Sequence, residues 1–379
     1  MTAAPLRILH TESSLGWGGQ EIRTLTEARG FLDRGHQVKL LTPREARIHD
    51  AAARMGIPVE ALPIGRKRAG PLLALRGWLA RHADDYDVVN THSSTDSWLA
   101  AVALRTLGRG GRAGRGRPGP RLVRTRHVST PVHETPGTRW LYQTATCHIV
   151  TTGEALRERL HRNNGFALET MTSVRTGIDL DRFRPLDQAR CRRELGVADR
   201  PTLGIVATLR SWKGHDFLLD AWRTVKAAHG DWQLLIVGDG PRRAHLEQRV
   251  RDEALADVVF VGNQEDVPPW LNCLDLYALP SYGEEGVPQG IMQAMACGLA
   301  VVSTPVGAIE EALQRDRTGL IVPPRDAAAL AAAIGRLIDD ADLRKRMGAA
   351  GHAYAQQQFG IARMLDAMER VFREAVTPR

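Results

Sequence analysis

Glu285 follows an apolar run, 274–279, and precedes a helical pattern that opens near Gln289. Between them lies a glycine-rich acidic loop, with Pro288 near the first helical turn, where the missing N–H of proline costs little. In open α/β sheets ligands gather outside the carboxyl ends of the strands. The free N–H groups of a helix's first turn suit an anion such as phosphate. A carboxylate that accepts from hydroxyls thus stands beside donors that suit a phosphate. A second such place follows the run 202–207, where Leu209-Arg210-Ser211-Trp212-Lys213-Gly214 supplies two cations. Arg210 and Lys213 suit charge-assisted contact with phosphate; the bland alternatives are a plain strand–loop–helix and a solvated basic loop.

The N-terminal half holds further candidates. The loop Ser14-Leu15-Gly16-Trp17-Gly18-Gly19-Gln20-Glu21 joins the first strand to the first helix. Its glycines permit close backbone approach and leave N–H groups facing outward. Glu21 is equally a first-turn acid favoured by the helix dipole. His92, in Asn90-Thr91-His92-Ser93-Ser94, and His127, in Arg126-His127-Val128-Ser129, each end a strand. An imidazole there can meet a ligand, or be an ordinary satisfied loop residue.

The segment 279–298 resembles the donor-site signature of family 4 glycosyltransferases, retaining enzymes of the GT-B fold. Glu285-Gly286 takes the first place, and Ala294, Ala296 and Gly298 the last three. The second acidic place of the family pattern is Gln293 here. Lys213-Gly214 matches a second family segment directly, whereas its arginine place is Thr208 and Arg210 lies two residues later. The resemblance implies that Glu285 accepts hydrogen bonds from donor-sugar hydroxyls and that Lys213 and Arg210 meet the diphosphate. It implies that Gln293 faces the nucleotide ribose, with Gly286, Val287 and Pro288 around the donor. Gly18 and Gly19 then approach the donor phosphate, Gly262 and Asn263 line the base pocket, and His127 reaches the transferred sugar. Gln20, Glu21 and His92 are left as acceptor-side candidates. The turn Gly238-Asp239-Gly240-Pro241 has a structural role, closing a strand-to-helix connection.

The elements that must position these residues alternate in type. Strand patterns occupy 6–9, 37–41, 88–90, 122–125, 148–151 and 172–175, with helical patterns at 20–33, 46–55, 72–83 and 95–107. The rhythm restarts with strands at 202–207, 233–237, 258–261, 274–279, 300–303 and 319–322. Helices follow at 217–228, 242–253, 267–273, 289–296 and 327–337. Strand, helix, strand at this spacing implies parallel sheets covered on both faces. The expected fold class is α/β, two doubly wound Rossmann-like lobes with a cleft between them, the GT-B layout. The lobes are expected at 1–180 and 181–358, with a tail helix from 359 to 379 that the resemblance sends back to the first lobe.

The chain has 379 residues, 43% hydrophobic and 25% charged, which suits a soluble two-domain protein. No apolar run reaches the roughly 18 residues of a membrane span, and the N-terminus enters a strand pattern at once. Four scattered cysteines show no metal spacing and fit a reducing, cytoplasmic setting. The net charge is +8, and the densest basic cluster is the Gly/Arg segment 108–120. That segment lacks interleaved aromatics, which argues against nucleic acid; contact with an anionic membrane surface at its inner face is the alternative to a solvated insertion.

No Asp-x-Asp stands in the expected nucleotide cleft, so neither metal nor cofactor is expected beyond the nucleotide sugar itself. The expectation is a retaining transferase acting on a glycan or lipid-linked acceptor, in cell-envelope or lipopolysaccharide synthesis. Two rivals stand beside it. A sugar-nucleotide epimerase of the same fold would need acid–base carboxylates that the first lobe does not clearly offer. A non-catalytic nucleotide-sugar-binding subunit would draw on Gln293 and the displaced Arg210.

Overall fold

The structure is a computed structural model that describes residues 4–109, 119–127, 130–283 and 285–377. Residues 110–118 of the Gly/Arg segment lie outside the described residues. The chain divides into two compact units: Met1–Gly177 with Ile361–Arg379, and Ile178–Gly360.

The first unit holds seven strands: β1 (Arg7–Thr11), β2 (Gln37–Thr42), β3 (Val59–Ala61), β4 (Val88–Thr91), β5 (Arg121–Arg126), β6 (His148–Thr151) and β7 (Met171–Ser173). They run parallel in the order β3-β2-β1-β4-β5-β6-β7. Side chains alternate between faces along each strand. Ile8, Val88 and Val123 therefore join one buried cluster, beneath the helix Gly19–Asp33 and the tail helix Ile361–Val376. Leu9, Val89 and Leu122 join the other, beneath Ala69–His82 and Ser94–Thr106. The tail helix belongs to this core through Met364, Leu365, Met368, Val371 and Phe372. A Cβ on Gly30 would stand 2.4 Å from Leu365 Cδ1, so the glycine admits that side chain.

The second unit holds β8 (Thr202–Val206), β9 (Gln233–Val237), β10 (Val258–Gly262), β11 (Leu276–Leu279), β12 (Val301–Ser303) and β13 (Gly319–Ile321). These are also parallel, in the order β10-β9-β8-β11-β12-β13. Both sheets are doubly wound, as the alternation of patterns implies. In each, the strand order reverses beside the first strand, between β1 and β4 and between β8 and β11, and the loops leaving those strands are where such sheets bind ligands.

Several elements escaped the sequence patterns, among them strand β3 and the helices Glu154–Asn164, Gln188–Leu195 and Ala341–Gln358. Strand β3 is three residues long, Val-Glu-Ala, too short to alternate. The helix Ala341–Gln358 contains Gly348 and Gly351, which read as breakers. A Cβ on Gly348 would stand 2.2 Å from Gly298 O, and one on Gly351 3.4 Å from Met295 Cγ. These glycines let that helix lie against Gln289–Ala296. Among the described residues no helix is long and apolar enough to cross a membrane.

Candidate functional site

In the second unit the loops after β8 and β11 lock together. Gly214 has φ +79°, and a Cβ there would lie 1.9 Å from Pro280 O. The Tyr282 N–H donates to Trp212 O at 2.8 Å. From behind, Leu209 N–H donates to Asp239 O at 3.0 Å and Arg242 N–H to Leu209 O at 3.0 Å, so the turn 238–241 braces the β8 loop. On this scaffold Lys213 Nζ bridges the carboxylate of Glu285, 2.8 Å from Oε1 and 2.9 Å from Oε2. Ser281 Oγ donates to Oε1 at 2.8 Å. Glu285 is buried, and its backbone carbonyl accepts from Ala308 N–H at 3.0 Å. Gly307, at φ +62°, admits that carbonyl where a Cβ would stand 2.0 Å away. A carboxylate offers about four acceptor directions; the described residues fill three, which leaves Oε2 with one direction for a hydroxyl.

Arg210 is exposed and lies over the indole of Trp212, 5.1 Å from the ring centre. Pro288 caps the helix Gln289–Ala296 from the residue before it. Gly286 is half-buried, Val287 buried and Gln293 half-buried, one turn into that helix. Gly262, at φ +82°, ends β10, and Asn263 beyond it is exposed. His215, next to Lys213-Gly214, is buried, and neither ring nitrogen has a hydrogen-bond partner among the described residues. Burial, then the Lys213 charge, push its pKa down to about 4.

In the first unit the ends of β1, β4 and β5 carry a row of imidazoles. His10 Nδ1 lies 2.9 Å from His92 Nε2, and His92 Nδ1 lies 2.9 Å from His127 Nε2. The ring centres are 5.2 Å apart in both pairs, stacked at 23° in the first and tilted at 33° in the second. His10 and His92 are buried and His127 half-buried. Burial holds all three below the usual histidine range, His10 down to about 3. Thus His92 sits inside the row, with both nitrogens engaged, and His127 at its outer end.

A buried polar layer surrounds the row. Arg23, fully buried, donates to Val174 O at 2.6 Å. Asn90 donates to Glu27 Oε1 at 3.2 Å and accepts from Thr125 Oγ1 at 2.9 Å. Burial raises the Glu27 carboxyl to about 7 against the opposing pull of Arg23. Asp96 takes Thr11 Oγ1–H at 2.8 Å and the His92 N–H at 2.9 Å. Burial raises Glu12 as well, and Asp96 adds to it. In the loop after β1, Gln20 Nε2 donates to Glu12 Oε2 at 2.6 Å and Ser14 N–H to Oε1 at 2.8 Å. Gly18 precedes the helix Gly19–Asp33 in an extended conformation, and Glu21 is buried in its first turn.

The sequence reading passed over His10, Glu12, Asp96, Ser281 and His215. For His10 a signal existed. Ile8 and His10, Val88 and His92, and Val123 and His127 stand at even spacings, so all three histidines share one face at one end of adjacent strands.

Two doubly wound parallel sheets, each with polar side chains gathered where its strand order reverses, make up the GT-B class of fold. Residues 17–182 match the family model described as Glycosyltransferase Family 4, and residues 200–340 the model described as Glycosyl transferases group 1. The chain belongs to the family 4 glycosyltransferases. It is 31% identical over 211 residues to the lipopolysaccharide core biosynthesis mannosyltransferase LpsB of Rhizobium meliloti, covering 53% of this chain and 60% of that protein. It is 27% identical over 401 residues to the 2-deoxystreptamine N-acetyl-D-glucosaminyltransferase of Streptomyces fradiae, covering 95% of this chain and 91% of that one. Among solved structures, Anabaena HepE in complex with UDP-glucose superposes with a TM-score of 0.81 at 22% identity, over 97% of this chain and 100% of that one. The chain spans 60% of the length of the first of these relatives.

Proposed function

We propose that this chain is a retaining, metal-independent glycosyltransferase. It takes a nucleotide-diphosphate sugar as donor and moves the sugar to a hydroxyl of a glycan or glycolipid of the cell envelope. One observation carries the reading: Lys213 Nζ bridges the two oxygens of Glu285 at the carboxyl ends of β8 and β11. A bridged carboxylate with one free acceptor direction suits a sugar hydroxyl. The ammonium beside it, with the first-turn N–H groups of Gln289–Ala296, suits the diphosphate whose charge grows as the glycosidic bond breaks. Exposed Arg210 can add to that charge by leaving the face of Trp212. Fixed positive charge of this kind replaces what a divalent ion would do, and chelator should leave turnover unchanged. Gln293 offers the ribose both an acceptor and a donor.

In the retaining step the acceptor oxygen attacks the anomeric carbon on the face the diphosphate leaves. The C–O bond to phosphate breaks with its electron pair on the phosphate oxygen. That oxygen takes the acceptor's proton, so no protein base is required. The relative from Rhizobium meliloti is named for lipopolysaccharide core synthesis, which supports an envelope acceptor, and a basic first unit supports peripheral contact with the inner membrane face.

A thermal-shift series with UDP, GDP, ADP and CMP tests the reading, because a ligand selective for the folded state raises the melting temperature. One diphosphate should stand out, and its sugar conjugates should be slowly hydrolysed. Absence of a shift with every nucleotide would reduce Lys213 and Arg210 to a solvated loop.

A further inference from the structure

We infer that His92 and His10 act as positioning residues that fix the tautomer of His127, so that His127 meets its ligand as an Nδ1–H donor and not as a base. The inference rests on the reading above for the identity of that ligand, a sugar or acceptor oxygen, but not for the tautomer itself.

The hydrogens can run along the row in only two directions, because each close contact needs one donor and one acceptor nitrogen. Two observations choose between them. Thr125 Oγ1–H donates to Asn90 Oδ1 at 2.9 Å, which turns the Asn90 amide so that Nδ2 lies 3.2 Å from Glu27 Oε1 and 3.5 Å from His92 Nε2. The second amide hydrogen therefore points toward His92 Nε2, which must be bare. At the inner end, His10 Nε2 is buried and no partner lies within reach among the described residues. A bare nitrogen there costs less than an orphaned N–H, the rarer defect in folded proteins. Both observations give one direction. His10 Nδ1–H donates to His92 Nε2, His92 Nδ1–H donates to His127 Nε2, and His127 carries its own hydrogen on Nδ1. The reverse direction would set an N–H of His92 against the Asn90 amide and bury an unpaired N–H on His10.

The rings stay neutral for reasons of place. His10 and His92 are shielded from water, and the buried Arg23 guanidinium opposes added positive charge at His92 and His127. With Nε2 filled by His92, a neutral His127 cannot remove a proton through that atom. It can only donate, which favours a ligand oxygen with a free lone pair. A carboxylate normally fixes a functional histidine's tautomer; here two further imidazoles do so without adding charge.

Long-range 1H–15N NMR on the full chain labelled in histidine reads the tautomers directly, with His127→Gln used for assignment. The expected result is hydrogen on Nδ1 at His127 and His92. Hydrogen on Nε2 of His127, or an even mixture, overturns the inference without any variant. His10→Phe removes the first donor; His127 should then show both tautomers and turnover should fall about tenfold with little change in KM. His10→Asn, which returns an N–H near the same place, should restore the single Nδ1–H form and most of the rate. An unchanged tautomer in His10→Phe also overturns the inference. If the wild-type spectrum is as expected while no donor is turned over, the relay stands and the transferase reading falls.

Discussion

In the second unit the candidate chemistry is a charged pair, Lys213 and Glu285, with side chains 17% and 9% exposed. In the first it is a row of neutral imidazoles walled in by Arg23, Glu27, Asn90 and Asp96. Each arrangement meets a different demand. A pair of opposite charges at a partly open loop can be re-partnered when an anion arrives. A buried row cannot be re-partnered cheaply, since every lost contact leaves an unsatisfied polar group; what it supplies is direction. The scaffolds differ in the same sense. Gly214 and Gly307 bring two backbones into contact to seat the ion pair, whereas the histidines stand on the rigid ends of three adjacent strands.

The comparison can be broken most sharply at the ion pair. Lys213→Ala and Glu285→Ala should each lower turnover at least about a hundredfold, and the double variant no further than the worse single, because the two act as one group. Steady-state kinetics on variants with unchanged circular dichroism checks this; near-normal rates in both singles would remove the second unit's claim to the chemistry.

The next effect concerns stability in acid. His10 takes a proton near pH 6.5 when unfolded but only at about 3 when folded. The unfolded state therefore binds more protons between these values, and the stability that His10 contributes is present above pH 6.5 and lost as the pH falls. The raised carboxyls Glu27, Glu12 and Asp96 act in the opposite sense, so a comparison with a variant isolates the histidine. The stability of wild type relative to His10→Phe should fall by about 2 kcal/mol between pH 6.5 and pH 5. Urea unfolding at several pH values measures it, and a constant difference would mean that His10 titrates in the fold as it does in the unfolded chain.

The smallest effect should come from Gln293→Glu, which restores the family's usual acid. It should change kcat/KM with the preferred donor less than about threefold, since amide and carboxylate both reach a ribose hydroxyl. Complete loss would show that the site needs the amide as a donor.

Much of this architecture could be read from residue patterns because parallel strands buried on both faces leave continuous apolar runs, and because Gly and Pro mark their ends. β3 has no run to read. The helix Ala341–Gln358 was hidden because a glycine that serves close packing looks the same in sequence as one that ends a helix. Among site residues, Glu285 and Lys213 stood out because charged residues in glycine-rich loops have few other uses. His10 did not, because it lies within an apolar strand pattern and its meaning depends on which strands are neighbours. That neighbour relation, β1 beside β4 beside β5, belongs to topology and not to local pattern.

The tail helix Ile361–Val376 completes a core whose other parts end at Gly177. During synthesis the ribosome therefore delivers the whole of the second unit before the first has its last wall. The second can close while still tethered, whereas β1, β4 and β5 wait with an apolar face uncovered. The strands of the first unit are thus made before the second unit and finally covered after it, which lengthens the interval in which their apolar face can be caught by another chain.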